Sequence, residues 1–414
     1  MKPVSRLENH YSFIRGNFLI LIITWILMSF SGPIPQTYSS LYFIGLGAND
    51  FLLGVIGFAG SIALALVQFP GGYFADKHGR RWLIVTMTYG MTLSYIFFIF
   101  APSWPFIVLG LVIQNFCLVY QPALFAMMLD SVPPERRGEG FTIQAVVTNI
   151  VSLPAAIIAG FLILIFDLGM GMRIAYTIAL IAYFAAATLR IRLKETLSSN
   201  DAGSVSNFSA AVKDYPKSVK EGLHVWKKVP RATLYLFVVT AGTSSLVAGC
   251  QMYFVVYATN VLQIDKFQWA IVMAFMWLSI AIPSILAGFR MDAVGRKSYF
   301  IIGLLLYTPA MLIFLNASFT MLLISFFLFG MGQMLQGTSY NSLLGDLIPR
   351  ELRGTVIGCG QFFIYLSQAF AQLLAGALYT YVSPQLPFIL LAVGTIPLAI
   401  IAFLKISEPS AREV

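Results

Sequence analysis

GGYFADKHGRRW, Gly71 to Trp82, is a short knot of charge between two long apolar runs. Residues 51–74 lead into it and 83–101 follow it, and both are almost wholly apolar. Asp76, Lys77, Arg80 and Arg81 cannot lie in hydrocarbon without a large penalty. They therefore mark a membrane surface where one span ends and the next begins.

Working outward, apolar windows of about 20 residues, the length that crosses a bilayer, can be drawn twelve times, from 17–36 to 387–404. The composition agrees: 58% apolar and 10% charged residues over 414 positions leave too little polar surface for a soluble protein. The runs are continuous rather than alternating, which excludes a β-barrel. The first run is long and lacks a small-residue cleavage site, so it reads as a span and not as a signal peptide. Cys117, Cys250 and Cys359 fall inside spans without metal-type spacing and read as packing residues. The three histidines lie outside the spans, and no zinc site is visible.

A net charge of +9 could suggest nucleic acid, but its distribution excludes that reading. If the loops alternate sides from the N-terminus, 24 of the 26 Lys and Arg fall on one side, and only Arg173 and Lys266 on the other. The positive-inside rule then makes both termini cytoplasmic, in a multi-pass protein of the cell membrane. A missed or extra span would scramble this asymmetry.

Residues 194–231 form the single long polar segment. They divide the chain into an N-terminal bundle (1–193), a cytoplasmic linker (194–231) and a C-terminal bundle (232–414). Val219, Leu223 and Trp226 at helical spacing fit an amphipathic surface helix. A solvated basic linker fits as well.

The second half repeats the first. GFRMDAVGRK (Gly288 to Lys297) matches GYFADKHGRR (Gly72 to Arg81) at an offset of 216 residues. Gly72 pairs with Gly288, Asp76 with Asp292, Gly79 with Gly295 and Arg80 with Arg296. The same offset carries Asp130 to Asp346, Arg137 to Arg353 and Ala159-Gly160 to Ala375-Gly376. One offset joining three separated motifs means two homologous six-helix halves in the same orientation. The expected fold is all-α, with twelve transmembrane helices in two six-helix bundles and a substrate site between them near mid-membrane.

The doubled loop motif, the D-x-x-P-x-x-x-R-G ends of helices 4 and 10, and the twelve spans together resemble the major facilitator superfamily. That resemblance covers nearly the whole chain and implies a rocker-switch secondary transporter. It also implies roles. Gly72 would let helix 2 pack on helix 11, Asp76 would face the start of helix 11, and Arg80 would pair with Asp130. Asp292, Arg296 and Asp346 would repeat this against helix 5, with Gly79, Arg81, Gly288 and Gly295 completing the gating motif. The plainer alternative is that these charges only fix topology and cap helix ends. Two departures set the chain apart from proton-coupled drug antiporters: Gly110 stands where they carry an Arg, and only Leu153-Pro154 and Ala159-Gly160 resemble their helix 5 signature.

No ionisable residue lies deep in the twelve windows, which argues against strongly charged substrates. What the interior offers is uncharged: Trp25, Ser29, Gln114, Asn115, Tyr120, Asn149, Ser244, Gln251, Gln333, Gln336, Tyr340 and Gln361. Amides and aromatics of this kind suit a neutral or lipophilic small molecule, although each also suits interhelical packing. The expected function is a monomeric exporter with protons as the candidate coupling ion. It needs no cofactor, metal or nucleic acid. An importer or facilitator of the same fold, and a non-transporting membrane receptor or sensor, stay open as alternatives. An enzyme is the weakest reading, since no nucleophile–base pair or carboxylate dyad lies in the spans.

Overall fold

The computed structural model describes residues 13–68, 79–196, 229–348 and 353–406, without the side chains of 135, 285–294, 346 and 353–355. Among them every regular element is helical. The first half contains α1 (Gly16–Gln36), α2 (Asp50–Gln68), α3 (Arg80–Ile99), α4 (Trp104–Ser131), α5 (137–166) and α6 (168–190). The second contains α7 (Arg231–Gln251), α8 (Lys266–Val294), α9 (Arg296–Phe314), α10 (Phe319–Leu347), α11 (Arg353–Tyr381) and α12 (Leu386–Lys405).

Helices α5 and α6 follow each other with little interruption over the 54 residues Arg137–Arg190. A single helix of that length would reach about 80 Å at about 1.5 Å per residue, against a hydrocarbon core of about 30 Å. The chain turns at Asp167, where φ is 64° and the carboxylate accepts the Met170 amide at 3.1 Å. That turn divides the stretch and completes twelve spans.

Local sequence sets the other breaks. Gly32 interrupts α1 just before Pro33. In α4 the Pro122 ring presses on the turn before it, and Leu118–Tyr120 tightens into a 3₁₀ turn. Asn49 caps α2 by accepting the Leu52 amide at 2.9 Å.

The sequence repeat is a structural repeat. Gly79 (φ +86°) and Gly295 (φ +104°) each begin the third helix of their half in a conformation that only glycine adopts easily. One residue further into each helix than Arg80 and Arg296, Arg81 donates to the Ile191 carbonyl at 2.8 Å and Lys297 to the Phe403 carbonyl at 2.7 Å. Each cation thereby ties the start of its third helix to the end of its sixth.

An even number of spans puts residues 13 and 406, the first and last described, on one face of the bundle, the terminal face; the opposite one is the distal face. The main apolar core draws on both halves, including Tyr38, Leu53 and Ala159 from the first and Tyr253, Trp269 and Phe388 from the second. A second core, built around Phe237, Phe300, Leu343 and Ala402, belongs to the second half alone and lies toward the terminal face.

Candidate functional site

The halves are joined near the distal face, and the joints come in related pairs. Tyr38, at the end of the α1 segment, donates its hydroxyl to the carbonyl of Lys266, the first residue of α8, at 2.5 Å. Tyr253, just after α7, donates to the carbonyl of Asp50, the first residue of α2, at 2.9 Å. Asp50 and Lys266 are 216 residues apart, and the tyrosines are 215 apart. Each tyrosine directly precedes a short helix, Ser39–Gly45 or Phe254–Asn260. Both are buried, and burial together with the nearby Asp265 carboxylate pushes the Tyr38 hydroxyl well above its ordinary pKa.

Below these bonds the helices meet through small residues, again in related pairs. A Cβ built on Gly54 of α2 would stand 2.6 Å from the Gln372 carbonyl and 3.0 Å from Gly376 of α11. A Cβ on Gly160 of α5 would stand 2.6 Å from Ala270 of α8. The offset of 216 carries Gly54 to Ala270 and Gly160 to Gly376, so the α2–α11 and α5–α8 seams are one contact made twice. Ser61 donates to the Gln372 amide oxygen at 2.9 Å, and Trp269 donates its indole N–H to the Thr37 carbonyl at 3.1 Å. None of Tyr38, Tyr253, Ser61, Gln372 and Trp269 was singled out from sequence.

On the terminal face, Arg80 pairs with Asp130 and also reaches Thr196 at 3.1 Å. Arg296 donates to the Ser342 carbonyl at 3.4 Å, one turn before Asp346. Gly72 and Asp76 lie outside the described residues, as do the side chains of Asp292 and Asp346; Gly288 is placed only as part of α8. A cavity of about 870 Å³ opens here beside Asp130, Arg15, Arg136 and Arg137. It contains none of the residues expected to line a substrate site.

Those residues divide by role. Asn115 donates to the Gly60 carbonyl at 3.1 Å, joining α4 to α2. Gln336 accepts from the Tyr307 hydroxyl at 3.0 Å, within the second half. The carbonyl of Ser29 accepts from Ser152 at 3.0 Å, joining α1 to α5. Tyr120 is buried under a guanidinium, and Tyr340 is buried edge-on to Phe237, its hydroxyl without a hydrogen-bond partner among the described residues. Trp25, Gln114, Asn149, Ser244, Gln333 and Gln361 are half-buried, while Gln251 is exposed at the distal end of α7.

One expectation is corrected. The sequence places Arg190 with the charges between helices 6 and 7, and no ionisable residue is expected deep in any span. Its side chain is instead 0% exposed inside the first half, bonded to Thr24 and Thr88.

The family model described as Major Facilitator Superfamily matches residues 13–289 and 262–414. The chain belongs to the Major Facilitator Superfamily. A multi-drug resistance efflux pump homolog from Lactococcus lactis is 26% identical, covering 88% of this chain and 89% of that protein. A Na⁺, Li⁺, K⁺/H⁺ antiporter from Planococcus maritimus is 23% identical, covering 82% of each. Among solved structures, a POT family transporter bound to a thioalcohol-conjugated peptide superposes with a TM-score of 0.75 at 15% identity, covering 94% of this chain and 96% of that one. The chain is thus a secondary transporter of this superfamily, an integral membrane protein with a small-molecule substrate.

Proposed function

We propose that this transporter exports an amphiphilic organic solute by alternating access, with the distal face outward and both termini in the cytoplasm. The observation that carries the reading is the paired distal latch. Two homologous rigid halves meet through two related tyrosine bonds and two related small-residue seams near one face. Contacts of that kind can separate by a rocking of one half on the other without unfolding either. The charge asymmetry of the sequence supports the orientation, since alternation of the loops assigns 24 of the 26 Lys and Arg to the side of the N-terminus.

The uncharged amides and aromatics of α1, α4, α7 and α10 support an amphiphilic solute. The efflux-pump and antiporter relatives support export and proton coupling. The test is flux. Purified protein in liposomes, with an imposed pH gradient and a solute panel, is expected to move solute against its gradient only when protons flow the other way. Flux indifferent to the gradient removes the coupling, and no flux of any solute removes the transport reading for this panel.

A further inference from the structure

The first half carries a full positive charge inside its helix bundle. Arg190 ends α6, which runs toward the terminal face. Side chains on a helix lean toward its N-terminus, so this one is carried back into the bundle rather than out to water. Its Nε donates to the Thr24 hydroxyl at 3.2 Å and its Nη1 to the Thr88 hydroxyl at 2.7 Å. Its Cζ stands 5.4 Å from the centre of the Tyr120 ring, and its Nη2 is buried with no hydrogen-bond partner among the described residues. The two threonine hydroxyls give their own protons to the carbonyls of Leu21 and Ile84, so toward the guanidinium they only accept. Among the described residues no carboxylate meets Arg190; the ion pair present there is Arg80 with Asp130.

A neutral side chain could join α1, α3 and α6 through the same hydroxyls without the desolvation penalty of a buried, unpaired ion. The charge itself is therefore the feature that needs an explanation. It touches two of the helices that bear the uncharged candidates, α1 through Thr24 and α4 through Tyr120. Thr24 adjoins Trp25 on α1. Tyr120 lies on α4, as does Gln114.

We propose that Arg190 sets the charge preference of the transport path, and that the solutes are organic anions: amphiphiles bearing a carboxylate or sulfonate. This rests on the transport reading above and narrows its substrate class. Arg190 acts as a specificity-determining residue through the field it casts and not through contact, since it is wholly enclosed. A unit charge one helix diameter away, about 10 Å, at an effective dielectric of about 20, favours a monoanion over its neutral analogue by roughly tenfold. The same field disfavours a cation to a similar degree.

The experiment uses the full-length protein and three probes on one aromatic frame: naphthalene-2-sulfonate, naphthalene-2-carboxamide and 2-naphthyltrimethylammonium. Flux into liposomes and binding to the detergent-solubilised protein, by equilibrium dialysis, are measured in parallel. The expected order is sulfonate, then amide, then ammonium, with about tenfold between the first two. Arg190→Gln is expected to collapse that ratio to near one. Arg190→Lys keeps the charge and is expected to retain most of the preference, even if both variants lose similar thermal stability. Equal loss of preference in the two variants makes Arg190 a clamp only and overturns the proposal. So does a wild-type preference for the ammonium probe, or binding without charge discrimination. Discriminating binding without flux upholds the proposal and counts against transport instead.

Discussion

The sharpest prediction concerns the two tyrosines of the distal latch. Tyr38→Phe with Tyr253→Phe deletes two hydroxyls and keeps both buried rings, including the stack of Tyr253 on Tyr379 at 4.5 Å between centroids. No donor is left orphaned, and the two carbonyls keep their places at the starts of α2 and α8. The loss is then the net value of two neutral hydrogen bonds, each about 0.5–1.5 kcal/mol and together about 2 kcal/mol. In the proposed cycle both bonds break when the distal face opens, so the whole amount acts on the equilibrium between shut and open. About 2 kcal/mol is roughly a 30-fold change, enough to raise a distal-open fraction of about 3% to about one half. Single variants should each shift it about fivefold. Spin labels on Pro102→Cys and Val382→Cys, exposed on the distal loops of opposite halves, report the motion by pulsed dipolar spectroscopy. The native cysteines are buried and add little background labelling. A longer-distance population should appear in the double variant. An unchanged distribution in a folded double variant refutes the idea that these bonds hold the distal face.

Gly54→Ala places a methyl 2.6 Å from a backbone oxygen of α11, which cannot yield without parting the helices; flux should fall at least about tenfold, with the same labels held apart. Gly79→Ala and Gly295→Ala each force an L residue to positive φ and should cost about 1–2 kcal/mol apiece, read as matching losses of thermal stability. Asp130→Asn breaks a pair whose carboxylate side chain is 40% exposed, so solvent screening limits the loss to about 1 kcal/mol or less. A drop of several kcal/mol would show that Arg80–Asp130 is far more than a surface pair.

Much of this architecture was legible because membrane spans are written in composition. Hydrocarbon demands unbroken apolar runs, and the loops between them record sidedness in Lys and Arg. The repeat was legible because its glycines and charges are fixed by backbone geometry: Gly79 and Gly295 adopt the same unusual φ. The latch was not legible, for an arithmetic reason. The loop motifs repeat at 216 residues, but the tyrosines and the short helices after them repeat at 215. A comparison held at 216 sets Tyr253 against Thr37 and passes over Tyr38. The bonds themselves join helices distant in sequence and leave no periodic trace. The cavity candidates show the complementary weakness: Gln336 and Asn115 are amides in spans, yet each is spent on a neighbouring helix.

Arg190 was misread for a different reason, and its sequence did hold a signal. A hydropathy window registers a charge at its edge as loop, because it weighs residue type and ignores direction. The buried stripe of α6 runs through Met172, Tyr176, Ala179, Tyr183, Ala186 and Ala187, and the next position at helical spacing is Arg190. A small-and-aromatic stripe marks the face packed against other helices. A charge that continues such a stripe points into the bundle, and the backward lean of helical side chains carries it deeper still. Arg192, in the turn beyond the end of α6, is exposed. The depth of a cation at a span end thus follows from its helical phase and not from its distance to the nearest polar residue. Applied to the terminal ends of α3 and α9, the same phase separates Arg80 and Arg296, which turn toward α4 and α10, from Arg81 and Lys297, which turn toward α6 and α12. One basic doublet, used twice, thus splits its two charges between neighbours on opposite sides.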